Sequence, residues 1–449
     1  MIFDHVLFIF IFLPLLLVIY RLVPASFKNV VLLIASLLFY AWGCQGYILL
    51  LLASMALNYV GSMFIEDWLK NEKETLRYLV ILLIVANLAL LFGFKYYQGV
   101  TCPMGLTFYT LMQIGYLLQV ANGEIRMAEN VLDYAVCVTF FPLMLAGPVL
   151  EFSTMQEQLH LRKHLNLAVL GDGLMWFIRG LAKATVLARC AGIMYQGLAE
   201  SKSMLGAWLM CAAFGFELYF ALSGYSDMAT GLGKLLGFKL PKNFRYPIMS
   251  KTFTEFIRRW YTSLTDYLNH FVCDMSVKKH GIELIGGQLL VAVFMGIFYS
   301  NGAGTIIWGA FLGILIILEK MIYGKALRKL PLVSNLYFLI LSLIGWGLFT
   351  GNSVAESLGH LSQMLGVGAN GLVDSTFTYY FLTNFFLWIV LLIASLPFVH
   401  NIWVNVFDGS NQILNVINAV VYIVMFMICL AFIVTETTAL AIPVGVFTS

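Results

Sequence analysis

Apolar runs about as long as a bilayer is thick recur from one end of this chain to the other, and that recurrence limits the possible fold more than any motif does. They lie at 6–23, 29–45, 46–64, 78–96, 107–121, 132–150, 166–192, 203–222, 284–299, 304–323, 332–350, 376–397 and 412–435, and each reads as a helix. A hydrocarbon core of about 30 Å takes about 20 mostly apolar residues per helical span. With 61% hydrophobic and 11% charged residues and a mean hydropathy of +0.88, a soluble globular composition is excluded. The expected fold is all-α and polytopic, with about 11 to 13 membrane helices. Runs that are short or carry Gly and Pro are expected to be re-entrant or broken, which lipid tolerates only where protein or water satisfies the backbone.

The first run has the length of a signal peptide's apolar region. Met1 to His5 lacks a basic segment, however, and no small-residue cleavage site follows Arg21, so it is expected to stay as a span. Arg21 and Lys28 in the first turn, and Lys70, Lys73 and Arg77 in the loop from Glu66, belong in the cytoplasm by the positive-inside rule. That puts the N-terminus outside it, in the cell (plasma) membrane. No repeat of solenoid period and no low-complexity linker divides the sequence, so residues 1–449 are expected to form one membrane domain with its motifs in 105–350. The seven cysteines show no CxxC and no His/Cys cluster at metal-ligand spacing; they read as packing residues, and no metal is expected. A net charge of +3 spread over loops gives no nucleic-acid groove.

Three polar-rich elements carry the chemistry. Gly224 to Pro247 follows an apolar run and holds four glycines and two prolines, which reads as a broken span. In it Asp227 stands at the end of a membrane segment, where a carboxylate is either functional or pairs within the bundle. Thr252 and Glu255 then have the spacing of a capping box. The helix it starts is expected to reach Val272, with Phe253, Phe256, Trp260, Leu264, Tyr267, Leu268 and Phe271 on one side and Glu255, Arg258, Arg259, Thr262, Asp266 and Asn269 on the other. That is an interfacial or cavity-lining helix, or a surface anchor whose arginines meet lipid phosphates. In the third element, Met295 to Gly309, the break Ser300 to Gly304 reads as a tight loop between helices, with an unwound cavity-lining stretch as the alternative.

These elements, in this order, resemble the bacterial branch of the membrane-bound O-acyltransferase superfamily, which holds alginate O-acetyltransferases and teichoic-acid D-alanyl transferases. The resemblance covers nearly the whole chain. Its marks are Phe39-Tyr40-Ala41-Trp42, Gly105-Leu106-Thr107-Phe108-Tyr109, Phe140-Phe141-Pro142 with Gly147-Pro148, Gly224-Tyr225-Ser226-Asp227-Met228, Asn243-Phe244 with Pro247, Glu255-Phe256 with Arg258-Arg259-Trp260, and Ile306-Ile307-Trp308-Gly309. Gly345-Trp346 with Ser353 and Leu358 matches the alginate-acetylation members. The resemblance implies helices around a central funnel, with re-entrant and interfacial pieces. It also implies an acyl thioester donor on the cytoplasmic side, acetyl-CoA or an acyl carrier protein, with no tightly bound cofactor. The acceptor would be an extracytoplasmic polysaccharide or envelope polymer, reached directly or through a secreted SGNH-type partner. Tyr225, Ser226, Asp227, Asn243, Glu255, Arg258, Arg259, Trp260, Asn301 and Trp308 would line the funnel.

The family's buried histidine can take a proton from an attacking hydroxyl because imidazole titrates near neutral pH. Here the Trp-His-Gly element falls on Phe298-Tyr299-Ser300 and the Arg-Trp-His element on Arg259-Trp260-Tyr261, so Tyr299 and Tyr261 stand at both histidine positions. A His-Gly falls on Leu312-Gly313, and an expected Arg on Thr350. A phenol, with its ordinary pKa of about 10, is a poor base at neutral pH but can donate a hydrogen bond to an acyl carbonyl. Of the seven histidines only His270 and His280 lie near the motifs, and both read as loop or interface residues. Three readings stay open: an active acyltransferase with an altered site, a degenerate subunit acting as scaffold or conduit, and a transporter.

Overall fold

The computed structural model describes residues 2–44, 46–71, 76–97, 101–161, 166–274, 282–299, 302–407 and 412–435. Among them, every regular element is a helix. Seven are long and apolar enough to cross a membrane: Ala25–Gly43, Ile48–Asn71, Arg77–Tyr96, Met204–Leu235, Ala303–Tyr323, Pro331–Phe349 and Gln412–Val434. Ser375–Thr383 and Phe385–Ala394 make one further span bent by 62°, and Phe8–Leu22, Val131–Met144 and Gly286–Tyr299 are shorter apolar pieces. The chain is a polytopic all-α membrane protein. Several expected spans are shortened for visible reasons. The run at 132–150 breaks at Phe140, one residue before a short turn with Pro142 in its first positions.

Among the described residues the chain falls into two compact units, Met1–Phe177 with Tyr225–Pro241, and Ile178–Gly224 with the described residues of Lys242–Pro443. The first unit holds α1 (Lys28–Gly43), α2 (Ile48–Asn71), α3 (Leu76–Tyr96) and α4 (Leu106–Ala121). Buried amides tie three of them together. Asn58 Nδ2 donates to Gln113 Oε1 at 3.0 Å, Asn87 Nδ2 donates to Asn58 Oδ1 at 2.7 Å, and Ser54 Oγ donates to Gln113 Oε1 at 2.7 Å. Inside a bilayer such side chains serve as polar glue between helices.

The helix α5 (Met204–Leu235) corrects the reading of Gly224 to Pro247 as a break. Residues 224–235 are helical, and only from Leu236 does the chain run irregularly to Tyr246 and a 3-10 turn at Pro247–Met249. The glycines there allow close approach. A Cβ on Gly224 would lie 2.7 Å from the Gly180 carbonyl, and one on Gly231 would lie 2.6 Å from the Phe177 nitrogen. In membrane helices small residues set packing distance as often as they break structure.

The second unit continues with α6 (Phe253–Ile257), α7 (Thr262–Asn269), α8 (Ile282–Tyr299), α9 (Ala303–Leu318), α10 (Pro331–Phe349) and α11 (Val354–Met364). The cap is present in a shifted form: Thr252 Oγ1 accepts the Glu255 N–H at 3.2 Å, while Glu255 reaches one residue past the N-cap, to the Lys251 N–H at 3.0 Å. The single helix expected from 252 to 272 is not. It stops after Ile257, and a second helix starts at Thr262.

Helices α8 and α9 pack antiparallel, and of the loop expected over Ser300 to Gly304, residues 300 and 301 lie outside the described residues while 303 and 304 are helical. Their contact is backbone-close. A Cβ on Gly309 would lie 2.6 Å from the Ala292 carbonyl. Gly309→Ala is therefore expected to lose about 1–3 kcal/mol through overpacking. A melting temperature in detergent equal to wild type would show that the pair can separate freely.

Candidate active site

The site is built on a short backbone pairing. The Arg245 N–H donates to the Arg259 carbonyl at 2.9 Å, and the Thr262 N–H donates to the Asn243 carbonyl at 2.9 Å. Thr262 Oγ1 adds a bond to the Lys242 carbonyl at 3.0 Å. Pairing of 259–262 with 242–245 competes with continued helix and wins. Both segments turn sharply at a tyrosine in the left-handed region, Tyr246 at φ 51° and Tyr261 at φ 46°. Such a residue costs on the order of 1–3 kcal/mol and persists only where its surroundings hold it.

What holds Tyr261 is an aromatic cluster. Its ring meets Phe244 edge-on at 5.5 Å and Phe298 at 5.8 Å, and the residue is fully buried. Next to it, Trp260 stacks on Phe256 at 5.3 Å and lies 5.5 Å from Trp346. Trp346 in turn stacks on Trp308 at 5.6 Å with 18° between the planes. Tyr299 packs edge-on against Trp308 at 5.9 Å, and its hydroxyl accepts the Trp260 Nε1–H at 2.8 Å. The two positions at which the resembled family carries histidine thus meet in one cluster. Burial, with the Tyr299 phenol close by, pushes the Tyr261 phenol well above its ordinary value, so it is no base at neutral pH.

Tyr299 has no exposed surface. A cavity of about 260 Å³ lies against the other walls of the cluster, lined by Tyr219, Phe256, Trp260, Phe338 and Trp346 among others. Trp260 therefore separates open apolar space from the Tyr299 hydroxyl.

The polar residues sort by position. Asn243 is buried, and neither atom of its side-chain amide finds a hydrogen-bond partner among the described residues. A buried amide left so is uncommon and points to a polar group missing from the protein itself. Glu255 pairs with Arg259, Nη2 at 2.8 Å and Nε at 2.9 Å, and Arg259 also donates to the Arg245 carbonyl at 3.2 Å. This bridge staples the paired segments, while Arg258 is exposed on the rim of a second, polar cavity. Asn301 and His280 lie outside the described residues. His270 caps the end of α7.

Tyr225, Ser226 and Asp227 belong to the first unit. Tyr225 donates its hydroxyl hydrogen to Asp4 Oδ1 at 3.1 Å, Ser226 Oγ is buried without a hydrogen-bond partner among the described residues, and Asp227 is buried. All three sit within α5, so the helix and not a loop presents them.

The sequence reading missed Glu319. Its carboxylate is buried and caps α6, with Oε1 accepting the Phe253 N–H at 2.6 Å and Oε2 accepting the Thr254 N–H at 2.8 Å and Thr254 Oγ1–H at 2.7 Å. The signal was available: a carboxylate closing an apolar run is costly unless engaged. The other family departures are packing positions or new polar pairs. Leu312 is buried, and Thr350 Oγ1 lies 3.0 Å from His360 Nδ1, a histidine that sequence spacing had not brought near the site.

No protein-family profile matches the chain. A probable alginate O-acetylase of Pseudomonas aeruginosa is 31% identical over 395 residues, covering 82% of this chain and 75% of the relative. A peptidoglycan O-acetyltransferase of Helicobacter pylori is 31% identical over 425 residues, covering 82% and 80%. A teichoic acid D-alanyltransferase of Bacillus subtilis is 24% identical over 259 residues, covering 54% and 65%.

Proposed function

The chain belongs to the membrane-bound O-acyltransferase family, and on that premise we propose that it moves a small acyl group from a thioester donor to a hydroxyl of an extracytoplasmic polysaccharide or cell-envelope polymer. The observation that carries this reading is the Trp260–Tyr299 hydrogen bond at 2.8 Å. It turns the phenol oxygen into an acceptor and leaves the phenol's own hydrogen for another partner. Among the described residues, no acceptor takes that hydrogen. A hydroxyl that accepts one strong bond is polarised into a better donor. Tyr299 would give its hydrogen bond to the acyl carbonyl as negative charge develops there.

The reaction balances without a histidine. The acceptor hydroxyl adds to the thioester carbonyl, the carbon–sulfur bond breaks, an ester forms, and the hydroxyl's proton ends on the departing thiolate, whose ordinary pKa is about 8.5. Asn243 supplies an unpaired amide for a polar substrate group. Arg259, Glu255 and Trp308 position the cluster without touching the reacting atoms. The donor is a cytoplasmic thioester, acetyl-CoA or an acyl carrier protein, and the acceptor is reached outside, directly or through a secreted SGNH-type partner. One membrane domain with its N-terminus outside the cytoplasm fits that route.

The test is transfer itself. Membranes with and without the chain, given a labelled acyl thioester and the native polymer, are expected to differ in ester-linked label. Equal labelling would remove the active reading for that polymer.

A second reading has its own observation. Both tyrosines are fully buried, and the Tyr261 phenol is no base at neutral pH. A degenerate subunit, scaffold or conduit beside an active enzyme, would look the same. A transporter would draw on broken spans, and of the two expected breaks the first, Gly224 to Pro247, is helical over residues 224–235.

A further inference from the structure

We propose that His360 is the base that takes the proton from the attacking acceptor hydroxyl, an assignment that rests on the acyltransferase reading above. Phenols at positions 261 and 299 leave the transfer without a group of that kind. Help from a positioned base is worth about 100- to 10,000-fold in such a step, and imidazole is the side chain suited to it near neutral pH. The histidine missing from those two positions stands instead on α11.

The ring is locked onto the end of α10. Nδ1 of His360 lies 3.0 Å from Thr350 Oγ1 and 3.3 Å from the Gly347 carbonyl, one of the last-turn carbonyls that have no partner within the helix. A carbonyl only accepts, and Thr350 gives its own hydrogen to that same carbonyl at 3.1 Å. The proton therefore sits on Nδ1, and Nε2 carries the lone pair. Thr350 stands where the resemblance puts an arginine, which has donors only and would not accept the Nδ1 hydrogen. Ser357 Oγ, donating to the Leu348 carbonyl at 2.9 Å, fixes α11 in place. Nε2 itself has no hydrogen-bond partner among the described residues, and it is not enclosed, the residue being only part-buried.

This nitrogen stands beside the aromatic cluster. Phe349, next to Thr350 in the chain, packs 6.1 Å from Tyr299 and 5.3 Å from Trp308. The Ala303 N–H donates to the Asn352 carbonyl at 3.3 Å and the Gly304 N–H to the Gly351 carbonyl at 3.1 Å, which ties the turn from α10 into α11 to the start of α9. Between α9 and α10 the chain carries Lys320, Lys325, Arg328 and Lys329 against the single acid Glu319, and a basic connection of this kind belongs in the cytoplasm. The opposite ends of both helices, where His360 is held, then face outside, the side from which the polymer arrives. There Nε2 takes the hydroxyl's proton as the oxygen adds to the thioester carbonyl: the O–H bond breaks, an N–H bond forms, and sulfur leaves as thiolate. The imidazolium returns the proton to the thiolate, directly or by exchange with water, so thioester and alcohol still give ester and thiol.

A ring that merely caps α10 and a ring that takes a proton are separable. His360→Asn keeps an N–H near the Nδ1 position for Thr350 and Gly347 but has no second ring nitrogen, whereas His360→Ala loses both. Membranes carrying the full chain are given acetyl-CoA with a labelled acetyl group and the cell's envelope polymer, and melting is followed beside ester-linked label. His360→Asn is expected to melt near wild type and to transfer about 100- to 10,000-fold more slowly. His360→Ala should be as slow, and added imidazole should restore a measurable part of its rate by entering the space the ring vacates. Transfer by His360→Asn equal to wild type would make the ring a cap alone and overturn the proposal. A loss in His360→Ala that imidazole does not reverse overturns it as well, whatever the melting curves show. No transfer by wild type removes the acyltransferase reading and this proposal together, while transfer that His360→Asn retains removes the proposal alone.

Discussion

Tyr299→Phe is expected to lower acyl transfer by about 100- to 1,000-fold, the effect of deleting one aligned donor to a developing oxyanion. The substitution keeps the ring and its contacts with Trp308 and Phe349. It removes only the oxygen that accepts the Trp260 indole hydrogen. Leaving that buried donor unpaired costs about 1–3 kcal/mol of stability, so melting curves must be taken beside the rates. A catalytic loss with a small shift in melting supports the donor role. Tyr299→His separates the readings further, since an imidazole titrating near neutral pH could serve as acceptor and base. Polymer acylation in Tyr299→Phe equal to wild type would end any direct role for the hydroxyl and favour the degenerate subunit.

The second large effect is expected at Glu319. Glu319→Ala leaves the Phe253 and Thr254 amides and the Thr254 hydroxyl without their acceptor, at about 1–3 kcal/mol for each buried group that water cannot reach. The adjoining cavity admits water to part of this, so the Phe253 amide, buried with its residue, should dominate. Glu319→Gln retains one acceptor oxygen and is expected to fall between. Because α6 leads directly into Trp260, transfer should drop with stability in the same order: wild type, Gln, Ala. If both variants melt and transfer like wild type, the cap is not what holds α6.

Much of this was legible before any coordinates. The apolar runs gave the helices, because lipid requires each span to satisfy its own backbone. Thr252 and Glu255 marked a helix start correctly, since a capping box is a local device. What followed was misread because apolar residues keep a spacing of three and four through 253–271 even though the chain turns at Tyr261. Periodicity reports which side a residue buries, and the turn keeps Trp260 and Leu264 both buried. The glycines of 224–235 misled in the opposite direction, their role being close helix contact. Family resemblance singled out Tyr261 and Tyr299, but no spacing within the chain announces that they meet in one cluster. Glu319 was visible as an awkward carboxylate, but its partners are backbone amides, which have no signature in sequence.

That carboxylate also orders events during synthesis. The amides it caps belong to residues 65 and 66 positions earlier, so α6 is written long before its cap. Until α8 and α9 have been made and inserted, the first turn of α6 has only Thr252 to close it, and a five-residue helix is far too short to persist alone. The strained turn at Tyr261 likewise waits for Phe298, and the Trp260 indole waits for Tyr299. The segment carrying the proposed chemistry is therefore a late arrival in biogenesis. A nascent chain stalled before residue 299 would hold its spans in the bilayer and still have no site.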